Sequence, residues 1–119
     1  MNKDDFFAVV ATQQTDVEVP GFGTVRLVQM TDVERYKNYE LWLRPDDKID
    51  QERMEQATYK LVTLCAHTVN DDGTTGELLF DADDDIERLG NSATGPITDL
   101  CNAAVRLNSA GALAKKSEA

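Results

Sequence analysis

At 119 residues the chain has room for one small domain with a real core, since a domain of this size buries roughly two-thirds of its unfolded surface. Twenty-two acidic residues against twelve basic ones give a formal net charge of −10, which repels nucleic acid and anionic lipid and favours basic partners or plain solubility. Cys65 and Cys101 stand far apart among apolar neighbours, as small buried hydrophobes do in a reducing compartment, and do not suggest a disulfide framework.

Near the N-terminus the apolar stretch FFAVV is too short for a signal-peptide core or a membrane span, so a soluble, unprocessed protein is expected. Asp4 or Asp5 can cap a short helix carrying Phe6, Phe7, Val9 and Val10, which the polar Thr12-Gln13-Gln14-Thr15 stops. Alternation then takes over. Val17, Val19, Val25 and Leu27 share one face around the turn PGFG, which predicts a β-hairpin at about 16–29.

Thr31 and Glu34 form a capping box for a helix expected to reach about Leu43, with Val33, Tyr36 and Leu43 along one stripe and Trp42 toward a flank. The following helix has the clearest period, with Met54, Ala57, Leu61, Leu64, Cys65 and Thr68 on its core face, and is expected to run on through LVTLCAHTVNDDG. Asn70 to Gly76 is turn chemistry, and Leu78-Leu79-Phe80 leads into the acidic DADDDIERLG. A last helix has Pro96 in its first turn and Ile97, Leu100, Cys101, Ala104 and Val105 on its buried side. The expected fold is mainly α (α+β): one helical domain over 1–109 with a single N-terminal hairpin, and a disordered tail over 110–119.

Chemical constellations are tested one at a time. An EF-hand loop beginning at Asp81 would need glycine at its sixth position and glutamate at its twelfth, and the chain has Ile86 and Ser92 there. The acidic segment reads instead as a helix start, with Asp81 as cap, Asp83, Asp84 and Asp85 in the first turn, and Ile86 and Leu89 as apolar anchors. Cys65 and His67, two apart on one expected helix, make a poor nucleophile–base pair, and two cysteines with one histidine fall short of a zinc site. No catalytic residue, metal or cofactor is expected. Phe6, Phe7 and Trp42 are the aromatics to inspect as partner-binding residues, with ordinary packing as the alternative.

The order of segments carries a resemblance. VEVPGFGTVRLVQMT, TDVERY, LVTLCAHTVNDDG, LLFDADDDIERLG and ITDLCNAAVRLN, from about Val17 to Asn108, resemble the tail assembly chaperones of long-tailed bacteriophages. That pattern falls here on Asp71, Asp72 and Gly73, then Leu79 and Phe80, Asp84 and Asp85, Leu89, and finally Arg106, Leu107 and Asn108. The resemblance implies a non-catalytic helper in the host bacterial cytoplasm, absent from the mature virion. Its partners would be the tape measure protein and the major tail tube protein, with a homo-oligomer as a further assembly and neither nucleic acid nor membrane as a target. It also makes Lys115 and Lys116 a candidate frameshift junction, against the simpler reading of a hydrophilic tail. The rival readings are a calcium-dependent binding module built on Asp81 to Asp85 and an acidic decoy of a nucleic-acid-binding protein.

Overall fold

Alternating polar and apolar residues build the first hairpin. The structure, a computed structural model, describes residues 2–38, 51–81 and 83–108, with the backbone alone for 51–55. Strands β1 (Gln14–Val19) and β2 (Gly23–Val28) pair antiparallel, with Val17 opposite Val25 and Thr15 opposite Leu27 on one face, and Asp16 opposite Arg26 and Glu18 opposite Thr24 on the other. At the turn, the Phe22 amide donates to the Val19 carbonyl at 2.9 Å, and Gly21 (φ 85°) and Gly23 (φ 127°) occupy backbone regions that favour glycine.

Two short helices flank this hairpin. α1 (Lys3–Val9) is closed by an Asn2–Asp5 capping box, and α2 (Asp32–Lys37) by the Thr31–Glu34 box that the sequence predicts. Neither has a buried residue. Val33 and Tyr36, expected on one stripe, are 64% and 68% exposed. Asn38 caps α2, its side chain donating to the Glu34 carbonyl at 2.9 Å. The rest of the helix expected to Leu43, with Trp42, lies outside the described residues, as do the expected tail over 110–119 and Lys115 and Lys116.

The principal correction concerns the fold class. α3 (Gln51–Cys65) ends at Cys65 and passes without a loop into β3 (Ala66–Val69), which a tight turn joins to β4 (Thr75–Leu78). The protein therefore has a four-stranded antiparallel sheet in the order β1-β2-β3-β4, an α+β fold rather than a helical domain with one hairpin. Tertiary pairing overrides helical period here: Ala66 lies opposite Leu27, His67 opposite Arg26, and the Ala66 carbonyl accepts from the Leu79 amide at 2.9 Å. Thr68, expected on the helix face, is a strand residue.

The second turn is built by its own side chains. The Gly73 amide donates to the Asn70 carbonyl and the Asn70 amide to the Thr74 carbonyl, both at 2.9 Å, while Gly73 takes φ 87°. Asp72 accepts from the Thr74 amide and hydroxyl. Gly76 meets Thr68 so closely that a Cβ there would lie 2.2 Å from the threonine Oγ1.

Helices α3, α4 (Asp85–Gly90) and α5 (Thr94–Asn108) complete the helical layer, with α3 and α5 lying against the sheet and α4 against α3. Between the layers lie Val25, Leu27, Met30, Leu61, Val62, Cys65, Ala66, Leu89, Leu100, Ala103, Ala104 and Leu107. Because the C-terminal half of α3 is covered from several sides, Val62 and Thr63 are buried beside the predicted Leu61 and Cys65. The Thr63 hydroxyl is satisfied by the Lys60 carbonyl at 2.6 Å. Val105, expected inside, is 48% exposed, and Ala103 and Leu107 face the core with Leu100 and Ala104.

Candidate functional site

Three places invite a functional reading: the acidic segment, the cysteine–histidine region and the uncovered aromatics. At the acidic segment, Asp81 Oδ1 accepts from the amides of Asp83 (2.8 Å) and Asp84 (3.0 Å), while Asp85 Oδ2 accepts from the Asp81 amide (2.7 Å). Reciprocal capping thus closes a turn just ahead of α4, so the regular helix starts later than the sequence predicts. Asp85 also receives Arg88 at 3.4 Å. These carboxylate oxygens are occupied by the chain's own donors. Among the described residues, no group of three or more histidine, cysteine, aspartate or glutamate side chains could hold a metal ion.

Cys65 and His67 straddle the helix-to-strand junction rather than sharing a helix. Cys65 is fully buried, and burial pushes its thiol up to about 11, away from the thiolate form that a nucleophile uses. The Asn108 side-chain amide lies 3.5 Å from its Sγ and donates to the Ala104 carbonyl at 2.8 Å, while Asn108 Oδ1 accepts from the Met30 amide at 2.9 Å. One side chain at the end of α5 therefore ties together the end of β2 and the end of α3. His67 Nδ1 is engaged by the Cys65 carbonyl at 2.8 Å, with its ring on the sheet face away from the helices.

That outer face carries one rung running Asp16, Arg26, His67 and Leu78 across all four strands. Arg26 clamps Asp16 with two bonds, at 2.8 and 3.2 Å, and gives a third to the Gly73 carbonyl at 2.7 Å. Arg26 lowers the Asp16 carboxyl below its ordinary value, chiefly through these hydrogen bonds. Here a charge cluster locks the two hairpins together.

On the opposite side, a cleft of about 270 Å³ opens among α3, α4 and α5, lined by Tyr59, Leu89, Gly90, Thr98 and the half-buried Cys101, among others. Its hydroxyl-rich lining contains no charged group that would fix a ligand.

The uncovered aromatics are the remaining feature. Phe6 and Phe7, predicted as partner-binding candidates, are 58% and 60% exposed on α1 and stack edge to face at 5.3 Å between ring centroids. Val9 and Val10 beside them are also exposed. On α2, Val33 and Tyr36 are uncovered, with the Arg35 guanidinium 4.8 Å from the Tyr36 ring centroid. No hydrophobic residue of either helix belongs to the buried core cluster or packs against it, whereas the half-buried Glu34 of α2 lies near Cys65. Sequence reading singled out the pair on α1 and placed Val33 and Tyr36 on one stripe, and helical spacing alone does not say whether a stripe has a partner.

Comparison with known proteins yields no matching family model, no matching curated protein and no matching solved structure. Among the described residues, no helix is long and apolar enough to cross a membrane.

Proposed function

We propose that the chain is a tail assembly chaperone of a long-tailed bacteriophage, acting by binding rather than by catalysis. It holds the tape measure protein in soluble form in the host cytoplasm and assists assembly of the tail tube protein around it, without remaining in the finished virion. The observation that carries this reading is the pair of short helices whose apolar side chains the domain leaves uncovered. Large exposed apolar groups on a small acidic domain suit a protein that engages another chain. The ordered sequence pattern supplies the family, and its members Gly73, Leu79, Phe80, Asp85, Leu89, Leu107 and Asn108 serve here as turn, core or capping residues. A resemblance carried by such positions concerns the whole architecture rather than a catalytic signature.

The test is co-expression with the tape measure protein encoded in the same genome. A co-purifying complex and a larger soluble fraction of the tape measure protein are expected. Absence of both, with this chain itself folded, overturns the proposal. Gene order provides an independent check, since a tail tube gene upstream and a very long tape measure gene downstream are expected neighbours.

A further inference from the structure

The turn that joins β3 to β4 carries the chain's only aspartate–glycine step, Asp72–Gly73. That pair has a chemistry of its own. The Gly73 nitrogen can bond to the Asp72 Cγ, with the amide proton and the carboxylic hydroxyl leaving together as water, which gives a cyclic imide. Water then opens the imide, and opening at the Asp72 α-carbonyl leaves the main chain running through the side-chain carbonyl, as isoaspartate. Glycine favours the attack because no Cβ shields its nitrogen.

The folded turn sets both reacting groups against this step. The Gly73 amide donates across the turn to the Asn70 carbonyl at 2.9 Å, in an orientation fixed by the left-handed φ of 87° at Gly73. Asp72 Oδ1 is turned past Gly73 to Thr74, accepting from its amide at 3.0 Å and from its hydroxyl at 2.6 Å. The Asn70 side-chain amide donates to the same hydroxyl oxygen at 2.9 Å, which leaves the Thr74 proton for Asp72. On the far side, Arg26 holds the Gly73 carbonyl at 2.7 Å. The Thr74 hydroxyl, and its amide after it, also keep the Asp72 carboxyl below its ordinary value, so the acid form whose hydroxyl can leave is scarcer.

We propose that Asp72–Gly73 is a latent modification site, an aspartate that isomerises when the turn opens and that Thr74 protects while the turn is closed. The inference is independent of the client-binding reading. Its product lengthens the turn by one backbone carbon and takes the Gly73 carbonyl from Arg26, so it alters the tie between the two hairpins and leaves the core in place.

The full chain is incubated in warm, near-neutral buffer, folded or in guanidinium chloride, and isoaspartate at Asp72 is followed by peptide mapping with mass spectrometry. The imide registers as the loss of one water, and isoaspartate as a shifted retention at unchanged mass. In the unfolded chain Asp72 is expected to react faster than any other aspartate. In the folded chain its rate is expected to fall by more than about tenfold, since hydrogen bonds of the turn must break first. Thr74→Val removes one hydrogen bond to a charged acceptor and is expected to raise the folded rate about tenfold. Thr74→Ser, which keeps the hydroxyl, is expected to retain the wild-type rate.

Equal rates in the folded and unfolded wild type, or another aspartate that reacts faster in the unfolded chain, overturns the inference. That comparison uses no variant, so it decides even where Thr74→Val does not fold. With Thr74→Val folded by circular dichroism, an unchanged rate overturns the protective role of Thr74, and so does a rise that Thr74→Ser shares.

Discussion

The front of the molecule and its body use the same residue types in opposite ways. In the body, apolar side chains from α3, α5, β2 and β3 converge until Leu27, Cys65, Ala66 and Ala104 have no exposed surface, and polar side chains such as Asn108 and Arg26 join elements distant in sequence. At the front, two phenylalanines, three valines and a tyrosine stand uncovered on helices held by their own caps. Burial makes the body cooperative, whereas the front helices can change composition at little cost to the fold.

Substitutions can break or sharpen that contrast. Leu27→Ala, in the centre of the sheet, is expected to cost about 2–5 kcal/mol in urea unfolding, the usual range for a fully buried leucine. A cost below 1 kcal/mol, as at a surface site, would show that the core is not where the fold places it.

Asn108→Ala follows at about 1–3 kcal/mol, because it leaves the Met30 amide without its acceptor in a part-buried place. Cys65 should then alkylate faster, a second readout of the loosened junction between α3 and α5.

Asp16→Asn is expected to have a smaller and pH-dependent effect. The folded carboxyl is held below its ordinary value, so its contribution is present above the unfolded value near 4 and is lost as pH falls through the lower folded value. Urea midpoints of wild type and variant should therefore differ at pH 7 and converge in acid, and a constant difference would remove the Arg26 clamp as the cause.

Last comes Phe6→Ser/Phe7→Ser, expected to shift stability by no more than about 0.5 kcal/mol. A loss as large as that of Leu27→Ala would mean that α1 belongs to the body after all.

What the sequence made legible follows the range of the interactions involved. The first hairpin, the Thr31–Glu34 box and the core residues Leu61, Cys65, Leu100 and Ala104 depend on local alternation, capping or helical period, and all can be read within a short window. β3 cannot be read that way, because Thr68 continues the period of α3, and Ala66 and His67 become strand only through pairing with Leu27 and Arg26. A signal was nevertheless present: β-branched Thr68-Val69, then Asn70-Asp71-Asp72-Gly73, then Leu78-Leu79-Phe80, matches a hairpin whose loop ends in a left-handed glycine. The stripe of Val33 and Tyr36 shows a different limit. Nothing in a short amphipathic segment tells whether the surface that it suits lies in its own chain or in another.

The loopless junction between Cys65 and Ala66 has a further consequence. Side chains alternate along a strand, so one residue inserted there would rotate every position of β3 onto the opposite face. His67 would be driven inward, and the Ala66 position would no longer match Leu27. With neither neighbour exposed and no slack between helix and strand, a change of length there would dismantle the pairing that makes four strands a single sheet. The spacing from α3 to β3 is thus a fixed ruler in the chain, whereas the turn from Asn70 to Thr74 can tolerate a change of length at its exposed tip.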